Sequence, residues 1–249
     1  MSANLAFNAD LTRPLDMSGK VALITGAAGG IGRALATLFA ANGATLALLD
    51  KNEAVHDFAA ELGTGHKGWT GDVTDAATIE RIVAEVAQHF GKIDILINNA
   101  GIGMLAPAEA TTTESWDLQL AVNLRAPYLF SREVANHMIA AGYGRIVTIA
   151  SSGVEQPIPR LALSNGIRAA VIGWSKTLAS EVAGSGVTVN VVLPGRIHTE
   201  RVDQLDDAAA ARGGSTREAV AKASMAAIPA GRYGKPQEFA DVVTFLASE

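Results

Sequence analysis

The feature that most restricts the fold is an alternation between two hydrophobic periods along the chain. Short aliphatic runs, VALIT (21–25), ATLALL (44–49), IDILIN (93–98), RIVTIA (145–150) and VTVNVVL (187–193), predict strands covered on both faces. A weaker run, HKGWTGDV, predicts another strand at 66–73. Between them lie longer amphipathic stretches at 31–41, 52–62, 75–90, 114–141 and 163–184. Strands separated by helices of this length pair in parallel through right-handed crossovers. The pattern therefore implies one α/β domain with a doubly wound parallel sheet. No linker, composition shift or internal repeat divides the 249 residues.

The alternation is interrupted once. Residues 200–235 form two Ala-rich, charged helical pieces hinged at Gly213–Gly214, an insertion after the last strand. Both a lid over about 200–228 and a solvated helical hairpin suit such a segment. The chain then finishes on PQEFADVVTFLASE, a helix with Pro236 near its start. At the other end, MSANLAFNADLTRPLDMSGK has no basic start followed by an apolar core, so residues 1–19 are expected to be a polar arm rather than a secretory signal.

Composition narrows the function classes. Cysteine is absent, which removes disulfide and thiolate chemistry and suits a cytoplasmic protein. A net charge of -5 with interspersed signs gives no basic stripe, so nucleic acid is not expected as a partner. No apolar run is long enough to predict a membrane span. No metal-ligating set stands out either.

The first strand runs into GAAGGIG, with Gly26, Gly30 and Gly32, and then into a helix. Glycines there let the backbone turn sharply and approach a pyrophosphate, which the helix N-terminus can hold through its free N–H groups. Asp50 closes the next strand, eighteen residues after Gly32. A carboxylate at that place accepts hydrogen bonds from adenosine ribose hydroxyls and repels a 2′-phosphate, so NAD is expected in preference to NADP. Lys51, beside the acid, acts in the opposite sense.

TGAAGGIG, followed by GDVTD, NNAG, AVNLRAPYLF, GRIVTIASS and VNVVLPGRIHTE, resembles the short-chain dehydrogenase/reductase family from Lys20 onward, in the manner of its 3-oxoacyl-acyl-carrier-protein-reductase-like members. The resemblance implies a Rossmann-type fold, NAD(P)(H), alcohol–carbonyl redox chemistry on a small-molecule substrate, and homo-oligomers, dimers or tetramers. It implies that Ile31 joins the glycines of the turn at the cofactor. Asp72 and Val73 would lie at the adenine, and Asn98, Asn99, Ala100 and Gly101 would line the cofactor beyond its strand, although Asn98 and Asn99 also suit side chains that satisfy turn backbone. Pro194, Gly195, Ile197 and Thr199 would hold the nicotinamide carboxamide. It further implies a closing strand after the last helix, which is missing from this sequence.

The family's catalytic set is Asn, Ser, Tyr and Lys, with Ser thirteen residues before Tyr and Tyr four before Lys. Asn123 and Ser151 match the first two members. Counting on without a gap gives Ser164 and Arg168 at the other two places. An aliphatic hydroxyl is a far weaker acid than a phenol, whose pKa is near 10, and a guanidinium stays protonated. Spaced i and i+4 on one helix, the two side chains share a face.

Three readings stay open. In the first, Ser151 and Ser164 hydrogen-bond a carbonyl oxygen while water or another group, with Glu155, Arg160 and His198 as candidates, handles the proton. Arg160, Arg168 or Arg196 would then attract a carboxylate or phosphate on the substrate. In the second, the substrate is an imine. In the third, the protein binds NAD without catalysis, as a sensor or scaffold.

Overall fold

The computed structural model describes residues 15–248. Of the arm expected over 1–19, residues 1–14 lie outside that range. The remainder makes a turn that buries Met17, whose N–H donates to Asn42 O (2.8 Å).

Six strands form one sheet: β1 (Val21–Thr25), β2 (Thr45–Asp50), β3 (Lys67–Thr70), β4 (Ile95–Asn98), β5 (Gly144–Ile149) and β6 (Val187–Val192). Their order is β3-β2-β1-β4-β5-β6 and every pairing is parallel. The register sets Ala22 against Leu46 and Ile24 against Ile97. All five residues of β1 are buried, which accounts for a run that is apolar without alternation.

Helices cover both faces. α1 (Gly30–Ala41), α2 (Ala54–Glu61) and the terminal α9 (Pro236–Ala247) bury Phe39, Phe58 and Phe239 against one side. On the other, α3 (Ala76–Phe90) and α5 (Ala126–Ala141) bury Ile79, Ile82, Phe130 and Met138. Each of these side chains adds about 1.5–3 kcal/mol by leaving water. Asp75 caps α3 by accepting from the N–H groups of Ala77 and Thr78, and Gly91 ends it in the left-handed conformation.

The long helix expected over 114–141 is corrected by the structure. It is α4 (Thr113–Leu120) and α5 joined by a π-helical segment, Ala121–Arg125. Pro127 supplies the reason. It has no N–H to give to the carbonyl four residues back, at Asn123, so the regular ladder cannot continue through that turn. After it, α6 (Ala162–Val182) packs on β6. The insertion is α7 (Glu200–Gly213) and α8 (Arg217–Ala226), turned at Gly214, where φ is 59°. Among the described residues no helix is long and apolar enough to cross a membrane.

Candidate active site

The strand order reverses between β1 and β4, and ligands of open α/β sheets bind beside such a point, at the strands' C-terminal ends. Two loops are tied together there. Thr25 Oγ1 accepts the N–H groups of Asn99 (3.1 Å) and Ala100 (3.0 Å) and donates to Ile97 O. Asn99 Nδ2 donates to Thr25 O (3.0 Å) and Gly26 O (2.9 Å). These positioning roles escaped the motif reading of Thr25. Asn99 was expected either along the cofactor or as a partner for turn backbone, and its side chain takes the second part.

The glycine turn is constrained by its neighbours. Gly26 has a φ of 66°, and a Cβ on it would lie 2.9 Å from Ala100 Cα. A Cβ on Gly32 would lie 2.1 Å from Gly26 O. Gly29, at the N-cap of α1, offers no side-chain cap, so the first-turn N–H groups stay open toward the crevice.

Two cavities with shared lining residues occupy the crevice. The smaller, about 380 Å³, is lined by Gly26, Asp50, Lys51, Asp72, Val73 and Ala100, among others. Asp50 accepts from Ala28 N–H (3.0 Å) on one oxygen and Asn52 N–H (3.0 Å) on the other. Each oxygen keeps a lone pair for a ligand hydroxyl. Asp72 accepts from Thr74 N–H (2.8 Å). The larger cavity, about 820 Å³, takes in Gly30 and Ile31 of the turn, Pro194, Gly195, Ile197 and Thr199 after β6, and Ser151, Ser164 and Arg168. Asn99, Gly101 and Ile102 border both. Glycine turn, open helix end and ribose-level carboxylate together fit an anionic dinucleotide.

Two of the expected cofactor residues are placed elsewhere. Gly32 lies beneath the turn. Asn98 is 2% exposed and turned inward, its Nδ2 donating to Ser131 Oγ (3.1 Å) and Thr148 Oγ1 (3.2 Å), where it braces β4 against β5 and α5.

Behind the larger cavity, Asn123 clamps Ile102 twice: its Oδ1 accepts from the Ile102 N–H (2.9 Å) and its Nδ2 donates to the Ile102 carbonyl (2.9 Å). The same Oδ1 accepts from Arg168 Nη2 (3.2 Å), while Arg168 Nη1 donates to Ile149 O (2.9 Å) and Ala150 O (3.1 Å). Burial lowers the guanidinium pKa to about 10, so it is cationic at neutral pH. Ser151 Oγ accepts from Gly153 N–H (3.1 Å) and keeps its own O–H free to donate. Ser164 is 7% exposed, faces the cavity, and takes no hydrogen bond among the described residues.

Comparison with known proteins agrees with this geometry. Residues 26–249 match the family model described as enoyl-(acyl carrier protein) reductase. The chain is 40% identical over 237 residues to D-threitol dehydrogenase of Mycolicibacterium smegmatis, covering 94% of this chain and 87% of that one. The chain belongs to the short-chain dehydrogenase/reductase family. The L-sorbose reductase of Gluconobacter frateurii, solved with NADPH and L-sorbose, superposes with a TM-score of 0.90 at 31% identity, covering 95% of this chain and 92% of that one. An NAD+-bound xylitol dehydrogenase does so at 0.85 and 32%, covering 93% of each. As a short-chain dehydrogenase/reductase the protein is an NAD(P)-dependent oxidoreductase acting on alcohol or carbonyl substrates.

The larger cavity of this short-chain dehydrogenase/reductase has a short acid–base inventory. Among the described residues that line it the only ionisable side chains are Arg168, Arg196 and Arg201; the rest of the polar surface is hydroxyl, amide and backbone. Glu155, Arg160 and His198 do not line it. His198 is exposed, with Nε2 3.3 Å from Asp203. Tyr233 is committed elsewhere, donating to Asp206 (2.6 Å), and burial raises its phenol pKa. The buried Asp206 also pairs with Arg196 (2.9 Å), fixing α7 to the loop after β6. Among the described residues no group of His, Cys, Asp or Glu is placed to hold a metal ion.

Proposed function

We propose that the chain is an NAD-dependent oxidoreductase of a small alcohol–carbonyl pair in which Ser164 and Arg168 stand where the family carries tyrosine and lysine. The observation that carries the reading is the larger cavity: hydroxyls and arginines line it, and no lining side chain can exchange a proton near neutral pH. In this reading the turn at Gly26, Gly30 and Ile31, packed over Gly32, takes the pyrophosphate and Asp50 the ribose. Asp72 and Val73 flank the adenine, Ala100 and Gly101 continue the floor, and Pro194, Gly195, Ile197 and Thr199 face the carboxamide. A bound nicotinamide supplies or accepts the hydride.

The side chains then have separate tasks. Ser151 and Ser164 donate hydrogen bonds to the substrate oxygen. Arg168, locked by three acceptors, holds a fixed positive field behind it, where negative charge develops during reduction. Water carries the proton. Replacing a positioned acid by water costs about 10²–10⁴-fold in rate, which orientation of the reacting pair partly offsets. An iminium substrate fits poorly, because its charge would face arginines alone.

The test is coenzyme turnover by wild type, Ser164→Tyr and the double substitution Ser164→Tyr with Arg168→Lys. Wild type is expected to turn over and the double variant to lose at least about tenfold, because a phenol fills the space used by substrate. A double variant that creates activity absent from wild type sinks the reading. The pH profile gives a second check. With no lining group of intermediate pKa, kcat shows no titration step between about pH 6 and 9.

A further inference from the structure

We infer that the substrate is a short hydroxy or oxo acid, with Arg201 taking its carboxylate and Ser164 holding the oxygen that changes oxidation state; the inference rests on the redox reading above. The decisive geometry lies beside Gly103. The position a Cβ would occupy there is 3.6 Å from Arg201 Nη2 and 3.9 Å from Ser164 Oγ, so a guanidinium and a hydroxyl converge on one small space. Leu161 Cδ2, 3.7 Å from the same point, closes its third side. An oxygen on one carbon and a carboxylate a few bonds away span such a seat; a long polar chain overruns it. Leu161, Val202 and Leu205 close the surrounding wall with apolar surface.

Charge points the same way. Among the described residues three guanidiniums line the cavity and no carboxylate does. Arg196 is neutralised by Asp206, and Arg168 is spent on two carbonyls and an amide oxygen. Arg201 differs from both: its one acceptor is the Gly103 carbonyl, it has no acidic partner among the described residues, and it is exposed at the cavity mouth. Its remaining N–H groups suit a bidentate carboxylate. Ser164 adds an independent sign of a ligand, being nearly buried, aimed into the cavity and without a hydrogen-bond partner among the described residues. In the oxidative direction the carbinol C–H bond breaks and its hydride passes to the oxidised nicotinamide. The hydroxyl proton leaves to water, and the carboxylate is unchanged.

The experiment uses matched pairs that differ only by a terminal CH₂OH or COO⁻: glycerol and glycerate, threitol and threonate, sorbitol and gluconate. At least one acid is expected to exceed its polyol in kcat/KM by about tenfold or more. Arg201→Gln is expected to lower that acid's value about 10–100-fold, chiefly through KM, with Arg201→Lys recovering part. Gly103→Ala, whose methyl makes only ordinary contacts with the protein but occupies the seat, is expected to do the same. Polyols used as well as the acids, or an Arg201→Gln loss shared equally by acid and polyol, overturn the inference. If no pair turns over, NADH fluorescence titrated with each acid decides it. An acid-dependent change weakened by Arg201→Gln supports the inference. No acid-dependent change on an intact NADH signal overturns it alone, whereas no NADH signal overturns the redox reading as well.

Discussion

The two halves of the crevice are built by different means. The half over β1 and β2 is made of backbone: a turn whose shape depends on hydrogens in place of side chains, open helix N–H groups, and one acid at a strand end. The half over β5, β6 and the insertion is made of side chains from several elements, among them Arg168 from α6 and Arg201 from α7, with Asn123 of the π segment behind Arg168. The first half carries two carboxylates and a lysine, the second three arginines. A ligand seat built of backbone tolerates few residues, whereas one built of side chains can change chemistry by substitution while its scaffold stays put.

The contrast can be broken at its strongest point first. Gly32→Ala puts a methyl 2.1 Å from a backbone oxygen, so the turn must move; a displacement of about 1 Å is expected to weaken NADH binding by roughly 10²-fold, by calorimetry. If binding survives, the half is less rigid than its contacts imply. Asp50→Asn removes the ribose-level charge and is expected to lower the NAD-to-NADP affinity ratio by about tenfold. Ser164→Ala tests the other half. It is expected to cut kcat by about 3–10-fold while leaving NADH affinity and thermal stability unchanged, since no protein hydrogen bond is lost. Weakened coenzyme binding in that variant would erase the division between the halves. The smallest effect is expected from Tyr233→Phe, which strips one donor from Asp206. Stability should fall by about 1 kcal/mol, with faster amide exchange along α7.

What could be read in advance follows the same division. The sheet and the glycine turn were legible because hydrophobic period and φ requirements are local properties of the chain. Ser164 and Arg168 were placed on one face by their spacing alone, and both reach the cavity. Asn98 was not legible, because whether a strand-end amide points to solvent or inward depends on Ser131 and Thr148, residues far along the chain. His198 was attractive by its titration range, yet its direction is set by Asp203 on α7. The π segment had a signal that went unused in Pro127, one step past AVNLRA. The role of Arg201 had none, since its seat exists only once α7 is folded back beside Gly103.

The π segment also bears on which changes in length this region can absorb. It inserts one residue relative to an uninterrupted helix, and each residue turns the helix by about 100°. A single deletion between Ala121 and Arg125 would remove that extra residue without removing Pro127, and it would swing Asn123 off Ile102 or rotate all of α5 against β4 and β5. That stretch can vary in composition more freely than in residue number.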